Sequence, residues 1–502
     1  MKHLALVLAC CLCCSLTLHA QGGKSVNAGE RTSVDITVYN QNLSLVREER
    51  SITLPKGTSS VIIPDIPATI DGTSLHFVSI TDPQAVRVLE QNYQYDLVHQ
   101  AKVLEKYIGK EVEFVRLDES TKNEYTVKGR LLATGYQSNP RYGMNPETFS
   151  AIGGMIAEVN GKIEINPVGR LILPSLPEGL ILKPQLEWMV ANAKAGEHRT
   201  EISYLAGQLS WLANYVAVLN KDDNRIDLTG WVTLSNNSGT TFKDAGLKLV
   251  AGDVNLVREE FDQRMKLGRT MDMAAVAEPQ FKQTDLFEYK LYTLQRRTDL
   301  KDNETKQIEL TSGKDVTAKK MFIYDGLADQ WRYWMNNYSY RNQGTFGQQS
   351  NQKVGVYVTF KNDNASGLGM PLPKGKVRVY KRDDDGKEQF IGEDEIDHTP
   401  KDEEIKLYLG NAFDIVGERA QKDFKSFASG RVVEETIEIK LRNHKTSSAE
   451  VMVYEHPWRW SEWEITKSSQ KYEKVDQSTI RFPVKVGKDE EQTVTYTIRY
   501  SW

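Results

Sequence analysis

Hydrophobic and polar residues alternate with period two along most of this chain, and turn residues interrupt the alternation. Val34-Asp35-Ile36-Thr37-Val38-Tyr39 puts Val34, Ile36 and Val38 on one side and polar groups on the other. Successive side chains of a strand point to opposite faces, so the pattern predicts a half-buried strand. Asn40-Gln41-Asn42 turns the chain, residues 43–48 return it, and residues 58–64 continue, with Pro64, Pro67, Asp71 and Gly72 as breakers. One segment departs from period two. Leu97, Ala101, Leu104 and Ile108 are spaced four, three and four apart, with Asp96 to cap and Gly109 to stop. That spacing predicts a helix over 96–108. Asn160-Gly161 between two alternating runs predicts a tight hairpin, because the pair tolerates positive φ at both turn positions.

The fold class expected is mainly β and multi-domain: immunoglobulin-like β-sandwiches, a small β-barrel unit and one short helix. In order these are an N-terminal sandwich over 21–94, the helical segment 95–109, the small barrel over 110–175, and a sandwich over 176–430. An immunoglobulin-like domain over 431–502 completes the chain. Residues 432–442, 449–454, 464–466, 479–486 and 492–500 supply five short strands to that last domain. Periodicity fails over 259–284 and 327–352, which read as insertions into the 176–430 domain. Val494, Tyr496, Ile498, Tyr500 and Trp502 alternate to the last residue, as in the final strand of an outer-membrane barrel. A separate helix, a small unit and irregular insertions favour a sandwich strand instead.

All four cysteines, Cys10, Cys11, Cys13 and Cys14, lie within an apolar run behind Lys2. This is the layout of a secretion signal over 1–20, cut after Ala20. Lipid anchoring through Cys10 is the rival reading, and it would leave a short apolar core. The chain is therefore expected to be exported, to the periplasm or beyond, with no thiol and no membrane span in its mature part. Charge and composition narrow the partners. The formal net charge is −4, and losing Lys2 lowers it by one. Nothing in that balance favours nucleic acid, which calls for a basic stripe.

Gly207-Gln208-Leu209-Ser210-Trp211 is followed by Leu228-Thr229-Gly230-Trp231-Val232-Thr233-Leu234 and Leu249-Val250-Ala251-Gly252-Asp253-Val254-Asn255. Further on come Glu288-Tyr289-Lys290-Leu291-Tyr292-Thr293-Leu294, Asp397-His398-Thr399-Pro400-Lys401-Asp402, Gly410-Asn411-Ala412-Phe413-Asp414 and Leu441-Arg442-Asn443-His444. In this order the segments resemble the bacterial family called domain of unknown function 4139, over essentially the whole mature chain. The resemblance implies an all-β, extracytoplasmic protein. Some relatives carry the label of a mucoidy inhibitor, a hint of envelope polysaccharide. It supplies no activity, so no catalytic residue is carried over.

Chemistry-bearing residues are few. Glu393, Asp394, Glu395, Asp397 and His398, then Asp402, Glu403 and Glu404, form the densest ionisable run. Its spacing fits no zinc or calcium motif, and a solvated strand end explains it. Ser210 lacks the surroundings of a nucleophile, and no phosphate loop is present. No metal, cofactor or catalytic residue is assigned. Aromatic clusters are the stronger signal: Trp458, Trp460 and Trp463 beside His456 and Arg459, and Trp331, Tyr333, Trp334, Tyr338 and Tyr340 inside the polar insertion. Such rings stack on sugars and anchor protein interfaces; equally, they cover the ends of sandwich cores. Trp331, Trp334, Trp458, Trp460 and Trp463 are the candidate ligand-binding residues. Trp211 and Trp231 are expected in the core. The function expected is a non-catalytic envelope binding or scaffolding protein that engages a protein or glycan. A metal-assisted or serine hydrolase of envelope polysaccharide or peptide is the alternative.

Overall fold

The computed structural model describes residues 24–94, 97–139, 148–151, 153–252, 280–328, 330–344 and 350–502. The proposed signal, Cys10 and Asp96 fall outside them, as do residues 259–279 of the first insertion.

The architecture is mainly β and built of several sheets. Ser33–Tyr39 buries Val34, Ile36 and Val38, as its alternation requires. Its neighbour runs further than the apolar pattern indicated, over Leu43–Leu54. Glu48 and Arg50 occupy inward positions there and are fully buried. They are tolerated because they satisfy each other: Arg50 Nε donates to Glu48 at 2.9 Å, and Arg31 also donates to Glu48. The remaining Arg50 nitrogens donate to the carbonyls of Gly29 and Pro64. A buried charge survives only when paired and hydrogen-bonded in this way.

These strands belong to an eight-stranded sheet that also takes Gly196–Gly207, Phe242–Ala251 and Tyr289–Leu294. A four-stranded sheet combines Lys24–Asn27, Gly57–Pro64 and Val86–Gln94 with Gln185–Asn192. The two sheets share one core, in which Trp188 meets Phe77 edge-on at 5.2 Å. The N-terminal sandwich is therefore assembled from both sides of residue 176, which corrects the boundary expected there. The unit over 110–175 is an insertion into it.

Just before that insertion, α1 spans Gln100–Lys106 and not 96–108. Leu97 makes an isolated bridge with Ile181 instead of a helical turn, and Ile108 is half exposed. Ala101, Leu104 and Tyr107 are buried, and Leu104 and Tyr107 pack with Val112, Phe114 and Leu131. The five strands there form an open sheet, ordered Lys162–Ile165, Ile156–Val159, Glu124–Ala133, Glu111–Leu117, Arg170–Ile172. Its two edge strands do not pair, so the expected small barrel is not closed among the described residues. The Asn160-Gly161 hairpin is present, with φ of 50° and 72°.

Two long strands organise the rest. Glu304–Asp325 has 22 residues and Glu404–Phe427 has 24. Both run from the middle of the molecule into its C-terminal part, inside one 13-stranded sheet. The C-terminal core joins Tyr324, Val354 and Ile415 to Val433, Ile437, Val451, Phe482 and Tyr496. The boundary expected at 430/431 is therefore crossed by continuous strands and by a shared core. Gly417 lies against the Tyr324 ring so closely that a Cβ there would collide with it. The final strand, Glu490–Ser501, pairs with Val432–Asn443 along its length and buries Val494, Tyr496, Ile498 and Tyr500. Among the described residues no helix is long and apolar enough to cross a membrane.

Trp211 is buried as expected, but Trp231 is only half-buried. In Arg225–Asn236 the inward positions are Ile226, Leu228, Gly230 and Val232, and alternation turns Trp231 outward. Residues 281–284 of the first insertion open the strand Phe281–Leu286. The second insertion is not irregular throughout: it contains α2, Gln330–Met335, and a short 3-10 turn, Tyr338–Tyr340.

Candidate functional site

The second insertion leaves the sheet at Asp325. Asp325 Oδ1 accepts the amides of Leu327 (3.0 Å) and Ala328 (2.8 Å), which bends the chain out of the strand and toward α2. Asn337 repeats the device, accepting from the Ser339 amide at 3.1 Å to start the 3-10 turn. Such side-chain acceptors replace missing backbone partners at helix starts. The returning chain is tied to the departing one: Tyr324 Oη donates to the Asn351 carbonyl (2.7 Å), and Asn351 Nδ2 donates to that of Asp325 (3.0 Å).

Arg459 holds the insertion against the C-terminal sandwich. It is 1% exposed, and its Nη1 donates to three carbonyls of the insertion: Tyr340 (3.1 Å), Arg341 (2.9 Å) and Gln343 (2.9 Å). Its Nη2 donates to Glu435 at 2.9 Å, and Gln421 donates to the same carboxylate oxygen. Burial pushes the Glu435 carboxyl up, but the Arg459 and Arg419 guanidiniums and the Gln421 amide together outweigh it and hold this carboxyl below the ordinary glutamate range. Behind this pair, Arg419 Nε donates to both oxygens of Glu455, at 2.9 and 3.0 Å, and Tyr496 Oη donates to Glu455. Burial pushes the Tyr496 and Tyr500 hydroxyls well up, so both are neutral, and Tyr496 is a neutral donor to Glu455.

Ring contacts complete the docking. Trp331 stacks on His456, with centroids 4.5 Å apart and planes 10° apart. Trp334 meets Trp458 at 5.2 Å, and Arg459 lies 4.3 Å over Trp458. Arg341 is sandwiched between Tyr338 (3.8 Å) and Trp460 (4.0 Å). Guanidinium groups on aromatic faces add cation–π attraction to these contacts.

The fold thus brings four of the five candidate tryptophans together. Trp463 lies elsewhere: its Nε1 donates to the Gln477 carbonyl, and Lys474 covers its ring. Trp458 cannot contact a ligand, because it is 3% exposed and packed under Trp334 and Arg459. Trp331, Trp334 and Trp460 are half-buried, each against a partner on the other segment. The rings left open are tyrosines, Tyr333 at 64% exposure and Tyr338 at 71%. Each is backed on one side, Tyr333 by Tyr340 and Tyr338 by Arg341, and so is held in place. Sequence reasoning noted both tyrosines but ranked the tryptophans above them. It missed the roles of Glu435, Arg419 and Glu455. The only local sign was that these charges stand at inward positions of strands.

The acidic run does not converge on a site. Glu393 pairs with Lys376 at 2.8 Å, and Lys374 pairs with Glu395 at 2.9 Å and Asp397 at 3.4 Å. Asp394 accepts the Tyr408 amide, and His398 Nδ1 accepts that of Lys374. No group of metal-ligating side chains occurs among the described residues. Ser210 is the second residue of the strand Leu209–Leu219, opposite Ser235. A shallow depression lies elsewhere, on the outer face of the eight-stranded sheet, lined by Ser33, Glu49, Ser51, Glu197 and Arg199. Compared with known proteins, the chain matches no family model and no curated sequence.

Proposed function

We propose that this protein is an exported, non-catalytic binding and scaffolding protein of a bacterial cell envelope, engaging an envelope protein or glycan through the aromatic face of the second insertion. The proposal includes removal of residues 1–20, or anchoring at Cys10, and kinship with domain of unknown function 4139. One observation carries it: Tyr333 and Tyr338 are exposed, yet each is fixed by a backing group on an insertion stapled down by Arg459. Large aromatics held rigid at a surface lose little entropy on binding, which is why they dominate recognition surfaces. The hydrolase alternative draws no comparable support, since the carboxylates from Glu393 to Asp397 are engaged by cations and backbone amides.

In-cell crosslinking of the tagged chain, followed by purification, tests this reading. The wild type should recover a specific envelope component repeatedly. Tyr333→Ala with Tyr338→Ala should lower that recovery by about tenfold or more, the effect of losing roughly 1.4 kcal/mol of contact. Unchanged recovery by the double variant would remove the insertion from the function.

A further inference from the structure

The charges of the insertion are of one sign. From Gln330 to Gln352 the sequence holds Arg332 and Arg341 and no aspartate or glutamate. The facing segment, His456 to Ser461, adds Arg459 and again no acid. Arg459 is engaged by Glu435 inside the sandwich. Arg332 is exposed, and Arg341 is half-buried between the rings of Tyr338 and Trp460. Among the described residues neither has a carboxylate partner, whereas cations elsewhere on the surface do: Lys376 holds Glu393, Lys374 holds Glu395 and Arg442 holds Glu418. Arg431 adds a third guanidinium without an ion pair. It is exposed and follows Gly430, which lies so close to the Asn342 side chain that a Cβ there would crowd it. The acids on the strands beneath are engaged: Asp325 by the amides of Leu327 and Ala328, Glu435 by Arg459 and Glu455 by Arg419.

The neutral groups of the same segment select among anions. Besides the open rings of Tyr333 and Tyr338, it exposes Asn336, Ser339, Asn342 and Gln343. Met335 is the one exposed aliphatic side chain among its described residues. A protein partner calls for an apolar patch whose centre is stripped of water. Here rings alternate instead with amides, hydroxyls and guanidiniums. Rings stack on the faces of sugars, and amides and hydroxyls exchange hydrogen bonds with sugar hydroxyls. Guanidinium forks take carboxylates through paired, charge-assisted hydrogen bonds.

We infer that the insertion binds an acidic polysaccharide whose sugar rings carry carboxylates: Tyr333 and Tyr338 stack on the sugars, and Arg332 and Arg431 pair with the carboxylates. Arg341, held behind Tyr338, adds positive charge at the same place. A carboxylate attached directly to a sugar ring lies at the edge of that ring, so a sugar stacked on a tyrosine brings it toward the flanking guanidiniums. This ligand class rests on the binding surface proposed above and narrows what that surface takes.

The test titrates the full chain with polygalacturonate and, as the uncharged probe on the same backbone, with fully methyl-esterified polygalacturonate. The acid polymer should bind about tenfold or more tighter than the ester. Added salt should weaken the acid polymer alone. Arg332→Gln with Arg431→Gln changes two exposed side chains that have no ion pair, so unfolding should be unchanged while the acid polymer falls to the level of the ester. Tyr333→Ala with Tyr338→Ala should weaken both polymers alike. Equal affinity for the two polymers, or binding of neither, overturns the inference. Poly-glutamate bound as tightly as polygalacturonate also overturns it, in favour of an acidic polypeptide. Dextran sulfate bound more tightly than polygalacturonate does so in favour of a sulfate ester. The ligand class and the surface fail separately. Tyrosine-dependent recovery in cells without polygalacturonate binding sinks only the acidic polysaccharide; polymer binding and recovery that both ignore Tyr333 and Tyr338 sink the surface itself.

Discussion

At the scale of single residues, the molecule depends on charges placed where a strand's alternation calls for apolar side chains. Arg459 and Glu435 are each nearly inaccessible to water and bonded to one another. Removing one member leaves the other's charge buried without its counter-ion, which is worse than removing both. Arg459→Ala should therefore destabilise the C-terminal part by about 3 to 5 kcal/mol, read from denaturant unfolding. It should also release the three insertion carbonyls that Arg459 holds. Glu435 adds an acid limit. Its folded pKa lies below the ordinary value of 4.5, so its stabilisation is complete above that value and is lost as pH falls below it. Stability measured on the acid side should fall less steeply in Glu435→Gln than in wild type. The candidate site was legible only as composition: a run dense in Trp, Tyr, Asn and Gln, and a second run around Trp458. Which rings would be buried was not legible. Trp458 and Tyr333 are both large aromatics in polar stretches, and a contact between Arg459 and the Tyr340 carbonyl, 119 residues away, decides their fates.

At the scale of elements, period two was a dependable guide where one face of a strand is buried. It found Ser33–Tyr39 and Val432–Asn443, and the Asn160-Gly161 turn followed from positive φ. It failed where polar residues point inward, so the strand Leu43–Leu54 was cut short at Glu48. It also failed at α1, where the four-three-four spacing of Leu97 to Ile108 mixed a strand bridge, two helical core residues and an exposed residue. The joining of distant segments into shared sheets was invisible, because register is set by partners and not by the strand's own pattern. The elements of the insertion should separate in mutational response. Trp458→Ala opens a cavity under α2 and should cost about 3 to 5 kcal/mol in thermal or denaturant unfolding. Tyr333→Ala removes a ring that faces solvent and should change stability by no more than about 0.5 kcal/mol. Equal losses would mean that Tyr333 is part of the packing.

At the scale of the whole molecule, the C-terminal part is not a detachable bead. Val433, Ile437 and Tyr496 pack against Tyr324, Val354 and Ile415, which come from earlier in the chain. A fragment of residues 431–502 lacks those residues and the strand Glu404–Phe427 that pairs with Val432–Asn443. It should be unfolded in solution by near-ultraviolet circular dichroism, whereas the complete chain should lose its middle and C-terminal parts in one transition. A fragment that folds alone would contradict the shared core. The two long strands also determine how the molecule answers a pull. At about 3.3 Å per residue, Glu304–Asp325 extends roughly 70 Å without a flexible link between the parts it joins. Tension along it falls on many interstrand hydrogen bonds at once, in shear. Two modules on a loose tether would come apart one at a time; these two resist as a single stiff beam.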